Sequence, residues 1–549
     1  MEKANKLLSI KNLNVTYKDS FDYTALKDFC LDVYEKDSIG IVGESGSGKT
    51  TVAMSLMRLI DSQATTHGEI EYQSDSIMKY NDVKLSEYRG IQVGFCPQNS
   101  LEALNPLMTI EEQITEGIKR HFDYDSVTIK GKVESLFEKV GLSNDFMKAY
   151  PHQLSGGMRQ KVLIAIAISL NPKILLVDEP TSSLDIDSRI EIVNLLRLLK
   201  EENEIALIVI SHDMEVIAQL CDRCALLYQG ELVESGITKE IFSYPEHPYT
   251  RGLISASLEV NPYQDLWGIP GEIGLHDVPG CSFYSRCTQR TTKCKFEKPK
   301  LLSISSGRLV ACNRGGIVKV LKAKELNKTY NIGKKKIKAC VNANIELRAG
   351  EIVSIVGPSG SGKTTLVSML CGILEKDKGE IEVFDEILNT LNMHRSFHGM
   401  QMVFQDPYSS INGDFTIEKA VSEPLIINKL CSKDESYIYV KKALVDVGLS
   451  DEDCFLKTRT GSLSGGQRQR VAIARAMVMK PKILIADEIS SMLDPSTKAN
   501  VLRLMKELQN KNGFSMIYVT HDLQLARKIS NRIYEVDAGQ VNEKTICFL

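Results

Sequence analysis

Short apolar runs separated by amphipathic stretches set the rhythm of this chain. Ser38-Ile39-Gly40-Ile41-Val42, Ile174-Leu175-Leu176-Val177, Ala206-Leu207-Ile208-Val209-Ile210 and Ile483-Leu484-Ile485-Ala486 are each of strand length with hardly a polar position. Such runs suit strands buried on both faces of a parallel sheet. Helical patterns such as Val52-Ala53-Met54-Ser55-Leu56-Met57 and Lys161–Leu170 alternate with them, which predicts an α/β fold with largely parallel strands. The same order of elements returns in the second half. A duplication on this scale predicts two tandem domains, residues 1–255 and 319–549, joined by a segment 256–318 without counterpart. That segment carries Trp267, the only tryptophan, together with several Pro and Gly and four cysteines.

Length agrees with this division, because 549 residues exceed what one hydrophobic core organises. Hydrophobic and charged contents of 43% and 25% are those of ordinary globular domains. A formal charge of −3 argues against nucleic acid as a partner. Apolar runs such as Val162–Ile168 fall far short of the ~18 residues that span a bilayer. Met1-Glu2-Lys3-Ala4-Asn5-Lys6 lacks the apolar core of a signal peptide. The expected location is therefore the cytoplasm, and any membrane role needs separate spanning subunits. In a reducing compartment, thirteen cysteines serve as buried thiols or metal ligands rather than disulfides.

Two stretches carry the chemistry around which both halves are arranged. Gly43-Glu44-Ser45-Gly46-Ser47-Gly48-Lys49-Thr50-Thr51 and Gly357-Pro358-Ser359-Gly360-Ser361-Gly362-Lys363-Thr364-Thr365 both fit the G-x-x-x-x-G-K-[ST] phosphate loop. Their glycines and serines let successive backbone N–H groups turn inward on an anion at a helix N-terminus. Lys49 and Lys363 reach the outer phosphates, and the Thr50 and Thr364 hydroxyls suit Mg²⁺. A Gly/Ser turn that happens to hold a lysine is the bland alternative, and two full matches in strand–loop–helix context argue against it.

Further candidates lie at strand and helix ends. Asp178-Glu179 and Asp487-Glu488 close two of the apolar runs, and ligands collect at the carboxyl ends of parallel strands. Asp178 and Asp487 are expected to hold Mg²⁺, while Glu179 and Glu488 orient and deprotonate a water. His212 and its twin His521 read as contacts to a terminal phosphate. Gln98 and Gln405 read as links between the metal and a mobile loop. Tyr17 and Tyr330, ahead of the phosphate loops, read as stacking platforms for adenine. Leu154-Ser155-Gly156-Gly157 and Leu463-Ser464-Gly465-Gly466 each open a helix. Ser155, Gly157, Ser464 and Gly466 thus form anion sites without a lysine, suited to an ATP supplied by another copy of the fold.

This order of phosphate loop, Gln loop, Leu-Ser-Gly-Gly, strand Asp-Glu and His resembles the nucleotide-binding domain of ABC ATPases over nearly the whole chain. The resemblance implies two tandem P-loop NTPase (ABC-type) domains that hydrolyse ATP with Mg²⁺. It also implies head-to-tail sharing, Ser464 and Gly466 completing the site on Lys49, and Ser155 and Gly157 that on Lys363. The halves differ in places. Ile489-Ser490 stands where the first half has Pro180-Thr181, and Cys96-Pro97-Gln98-Asn99 faces Phe404-Gln405-Asp406-Pro407. Both keep their Glu and His, so both sites are expected to work, at rates that need not be equal.

After the first domain, Glu246-His247-Pro248-Tyr249-Thr250-Arg251, Ile269-Pro270-Gly271 and Gly280-Cys281-Ser282-Phe283-Tyr284-Ser285-Arg286-Cys287 are similar to the tail of ATPase subunits of bacterial oligopeptide, dipeptide and nickel importers. That resemblance implies a peripheral motor on the cytoplasmic face of the inner membrane. It would drive two transmembrane permease subunits fed by an extracellular solute-binding protein. Peptide, nickel, a metal–chelator complex or another small solute remain open as cargo. The alternative class is a soluble tandem ABC ATPase acting on ribosomes; those factors usually join their domains by a long charged helix, unlike this Pro/Gly/Cys-bearing linker. Cys281, Cys287, Cys294 and Cys312 fall within 32 residues. Their spacing matches neither the usual pairs of structural zinc nor a common ferredoxin run. The residues alone leave cluster, zinc and bare thiols open, while the family resemblance implies a structural 4Fe–4S cluster.

Overall fold

The computed structural model describes residues 5–18, 22–61, 63–203, 205–257, 268–269, 271, 278–305, 307–333, 335–388, 399–489 and 493–544. Two compact units emerge. Unit 1 comprises Met1–Val260, His276–Ser285 and Thr292–Gly316; unit 2 comprises Asn261–Leu275, Arg286–Thr291 and Ile317–Leu549. The intervening segment is thus divided between the units. Trp267, Pro270 and Ser490 lie outside the described residues.

In unit 1 the central sheet runs Arg223–Tyr228, Ser38–Val42, Ala206–Ser211, Ile174–Asp178, Val93–Cys96, with every neighbouring pair parallel. Every residue of Ser38–Val42, Ile174–Asp178 and Ala206–Ser211 is buried, as strands covered on both faces require. Beyond Arg223–Tyr228 the sheet becomes antiparallel through Glu231–Ile237, then Arg308–Ala311 and Leu301–Ser305. Those last two strands come from the intervening segment. A second, antiparallel sheet orders Asp22–Tyr34, Lys6–Lys18, Ala64–Tyr72 and Asp75–Ser76. Leu8, Ile10, Leu13 and Val15 from it share one core with Ile39, Ile41 and Val52.

Unit 2 repeats the plan with six strands, Met400–Val403, Ile483–Asp487, Ser515–Thr520, Ile352–Val356, Arg532–Asp537 and Gln540–Lys544. The first five pair in parallel and the last is antiparallel. Its antiparallel sheet orders Lys335–Arg348, Lys319–Ile332, Lys378–Val383 and Glu386–Ile387. The helices Ile417–Ile427, Lys433–Asp446 and Gly465–Met477 close around Val421, Val440, Leu444, Val471 and Ile473.

A buried ion pair fastens the two additional strands of unit 1. Glu234 is fully buried. Its Oε1 accepts from Arg308 Nε at 3.2 Å, Arg308 Nη2 at 2.6 Å and Glu246 N at 3.0 Å, and its Oε2 from His247 N at 2.9 Å. Arg308 Nη2 also donates to Tyr244 O at 2.6 Å. A buried charge pair survives desolvation only with its remaining lone pairs and protons satisfied, and the chain entering the helix Pro248–Ala256 provides that satisfaction.

His247 caps this helix, its Nδ1 accepting from Tyr249 N at 3.2 Å, which requires a ring unprotonated at that atom. Burial pushes the imidazole down to about 3. Below ~6.5 the unfolded chain binds a proton that the folded chain refuses. Stability from this residue is therefore fully present above that pH and declines as pH falls towards the folded value. At about 1.4 kcal/mol per pH unit, roughly 2 kcal/mol should be lost by pH 5. Denaturant midpoints at pH 7.5 and 5.0 check this. His247→Asn, which retains a capping acceptor, should shrink the acid-induced drop; an equal drop in both proteins would contradict it.

Candidate active site

In each unit a loop leaves the central strand and turns directly into a helix, Ser38–Val42 into Lys49–Leu56 and Ile352–Val356 into Lys363–Leu370. The helices begin after Gly48 and Gly362, at φ of 101° and 109°, where any side chain is strained. Space forbids one as well. A Cβ at Gly48 would lie 2.4 Å from Ala25 O, and one at Gly362 2.1 Å from Ala339 O. Gly43 and Gly357 are equally confined, 2.3 Å from Leu227 O and 2.2 Å from Val536 O by the same measure. Gly46 and Gly360 also have positive φ but meet nothing within 4 Å, so the crest of each loop is open. Ser45, Ser359, Thr50 and Thr364 are exposed there, and Thr51 and Thr365 are half-buried.

Both loop lysines are buried. Lys49 Nζ donates to Gly43 O at 2.8 Å and Glu44 O at 3.0 Å, and Lys363 Nζ to Gly357 O at 2.8 Å and Pro358 O at 2.9 Å. Burial lowers the Lys49 ammonium, opposed by the Glu179, Asp178 and Glu44 carboxylates. Asp178 and Asp487 end their strands 1% and 3% exposed. Burial raises both carboxyls to about 6, helped by Glu179 and Glu488 and opposed by the facing Thr50 and Thr364 hydroxyls and the lysines. Neither oxygen of Asp178, nor Oδ1 of Asp487, has a hydrogen-bond partner among the described residues. Buried carboxylates need compensation, and hard divalent cations take oxygen donors of this kind. Thr50 with Asp178, and Thr364 with Asp487, therefore fit Mg²⁺.

Glu179 and Glu488 have φ of 50° and 45°, a left-handed conformation that costs a non-glycine residue about 1–3 kcal/mol. The turn is pinned by Glu179 N donating to Ile210 O at 2.8 Å and Glu488 N to Val519 O at 3.1 Å. The two carboxylates then find different partners. Glu179 Oε1 accepts from His212 N at 3.1 Å and lies 2.9 Å from His212 Nδ1; this contact raises the His212 imidazole against the effect of burial. Glu488 Oε2 accepts from Gln405 Nε2 at 3.0 Å, and its Oε1 lies 3.4 Å from Lys363 Nζ. His521 and Gln98 are exposed. The two glutamate side chains thus rest on different residues.

Ser155 and Ser464 cap the helices Gly156–Ile168 and Gly465–Met477, accepting from Met158 N and Gln467 N, each at 3.3 Å. Unit 2 completes a capping box, Ser464 N donating to Gln467 Oε1 at 3.1 Å, which Met158 cannot do. A Cβ at Gly157 would lie 2.7 Å from Ser188 Oγ, and one at Gly466 3.1 Å from Thr497 Cγ2. Tyr17 is half-buried against the unit 1 core, and Tyr330 is 36% exposed. Sequence reasoning missed Tyr23, which pairs with Tyr17 across the hairpin and donates from its hydroxyl to Gly46 O at 3.1 Å. Strand register was the available signal; its counterpart opposite Tyr330 is Ile337.

A family model described as ABC transporter matches residues 26–182 and 340–491. The chain belongs to the ABC transporter family. A second model, the oligopeptide/dipeptide transporter C-terminal region, matches residues 233–294. The glutathione import ATP-binding protein GsiA of Pectobacterium atrosepticum is 32% identical across 99% of this chain and 86% of its own length. The oligopeptide transport ATP-binding protein OppD of Mycobacterium tuberculosis is 32% identical across 98% of this chain and 94% of its own. Among solved structures, the dimeric ATP-binding cassette MJ0796 bound to ADP and Pi matches 41% of this chain and 99% of its own, at 32% identity and a TM-score of 0.38.

As an ABC ATPase the chain carries the P-loop NTPase fold twice and hydrolyses ATP. The ribosomal alternative finds no support in these relatives. Among the described residues no helix is long and apolar enough to cross a membrane. The described residues give the iron–sulfur expectation no support. Cys281, Cys294 and Cys312 belong to unit 1, whereas Cys287 belongs to the stretch Arg286–Thr291 of unit 2. No group of three or more His, Cys, Asp or Glu is placed to hold a metal among the described residues. Burial pushes the Cys281 thiol up to about 12, with the neighbouring Cys312 and Cys294 adding to the rise.

Gly48→Ala should bring both a strained φ and a backbone clash. We expect a stability loss above ~1 kcal/mol and at least tenfold weaker ATP binding by unit 1. Titration of a fluorescent ATP analogue into a Lys363→Ala chain, with and without Gly48→Ala, checks this; unchanged affinity would show that the tight seat of the loop is dispensable.

Proposed function

We propose that this chain is the cytoplasmic motor of an importer for peptide-like solutes, using ATP hydrolysis at two sites to drive two permease subunits. The carrying observation is a complete set of loop lysine, metal-site carboxylate and strained glutamate in each of two units, followed in the first by a peptide-transporter tail. Relatives named for glutathione and oligopeptide transport support the solute class. In this reading the chain sits peripherally on the permeases, which receive solute from an extracellular binding protein.

Phosphoryl transfer to water needs little covalent help, so positioning and charge do most of the work. The loop N–H groups and Lys49 or Lys363 bind the phosphates, and Mg²⁺ held by Thr50 and Asp178, or Thr364 and Asp487, would supply further charge neutralisation. Glu179 and Glu488 accept the proton of the attacking water. His212 steadies Glu179, and Gln405 steadies Glu488, in the orientations described above. Tyr17 and Tyr330 take the adenine. Ser464 and Gly466 complete the Lys49 site when ATP is bound, and Ser155 and Gly157 the Lys363 site. Cysteines placed at Ser47 and Ser464 should crosslink within one chain under non-hydrolysing conditions. Crosslinking between two chains through Ser47 and Ser155 would replace this pairing.

Glu179→Gln and Glu488→Gln should each retain ATP binding and reduce turnover, and the double variant should fall by ~10²–10⁴-fold, the usual loss for a general base. Phosphate release measured beside equilibrium ATP binding decides it. Normal turnover in the double variant would make these carboxylates structural.

A further inference from the structure

We infer that Tyr249 is a positioning residue for the phosphate loop of unit 1, through which the segment after the first ATPase domain acts on that site. Tyr249 is fully buried. Its hydroxyl accepts from Glu44 N at 2.8 Å and donates towards Leu227 O at 3.4 Å. Glu44 is the second residue of the phosphate loop, and Leu227 O is the carbonyl against which Gly43 is wedged. One hydroxyl therefore bridges the start of the loop and the strand that seats it.

The ring is held between a central strand and the tail. Its centroid lies 4.7 Å from Tyr228 and 5.7 Å, edge-on, from Phe283. Phe283 is 2% exposed and sits two residues after Cys281, whose N donates to Cys294 O at 2.8 Å. A shift of Phe283 is carried through the packed rings to the hydroxyl, because close-packed interiors transmit displacement.

Unit 2 shows why the contact exists in one unit only. Where unit 1 has Glu44, the second loop has Pro358, which carries no N–H. The first loop has a donor that requires an acceptor, and a buried donor left without one is costly. Removing the hydroxyl should shift the loop, and small misplacements at such sites weaken function strongly. The inference rests on the Lys49 loop binding ATP.

Tyr249→Phe retains the ring and deletes only the hydroxyl. In a Lys363→Ala chain, where the unit 1 loop alone retains its lysine, we expect it to raise the Kd for a fluorescent MgATP analogue three- to thirtyfold. In a Lys49→Ala chain, which reports the unit 2 loop, the Kd should stay within twofold. No change in the first chain, or equal changes in both, would overturn the inference. If the Lys363→Ala chain with Tyr249 intact binds no nucleotide, the ATP assignment of the Lys49 loop fails and the inference falls with it. Amide hydrogen exchange in the unmodified full chain is a second test that does not depend on the variant folding. The Glu44 amide should exchange far more slowly than an open-loop amide, and fast exchange would refute the contact.

Discussion

The seating of each phosphate loop against backbone carbonyls is the constraint on which the rest of the structure depends. In unit 1, Leu227 O confines Gly43 and Ala25 O confines Gly48; in unit 2, Val536 O and Ala339 O do the same for Gly357 and Gly362. Leu227 and Val536 lie on strands of the central sheet, whereas Ala25 and Ala339 lie on the antiparallel hairpin. The two sheets of a unit thus meet at the loop. Their shared core, with Leu26 beside Ile41 and Val52 in unit 1, holds both carbonyls in place. Stability of the layers and geometry of the anion cradle are one property.

A common backbone does not make the two sites equal. Both glutamates take the same strained conformation, yet Glu179 rests on His212 and Glu488 on Gln405 and Lys363. Tyr23 donates to one loop at Gly46 O, while Ile337 holds the corresponding register in the other unit. The tail strands join only the sheet of unit 1, anchored by the buried Glu234 carboxylate. These differences surround a conserved chemistry of lysine, aspartate and glutamate, so they alter how each site is held rather than what it can do.

Much of this was legible in the sequence because local chemistry dictated it. Ser38–Val42 and Ile174–Val177 could be read as buried strands since nothing polar interrupts them, and a Gly-Lys-Thr after such a strand leaves few alternatives to an anion cradle. What escaped reading depended on distance in the chain. The strands Leu301–Ser305 and Arg308–Ala311 are short and mostly lack an apolar alternation, and their place is set by Arg308 reaching a glutamate 74 residues earlier. Tyr23 acquires its role from strand register, and Tyr249, although part of the tail motif, acquires its contact with the loop from helix docking. The cysteine reading drew on the family resemblance rather than on spacing, and the described residues give it no support.

The central claim is that one chain carries two complete ATP sites held in unequal surroundings. Equilibrium dialysis of MgATP against the chain bearing both Glu179→Gln and Glu488→Gln tests it most directly, since turnover no longer obscures binding. The account predicts two nucleotides per chain with two distinguishable affinities. One nucleotide per chain, or two of identical affinity, would contradict it.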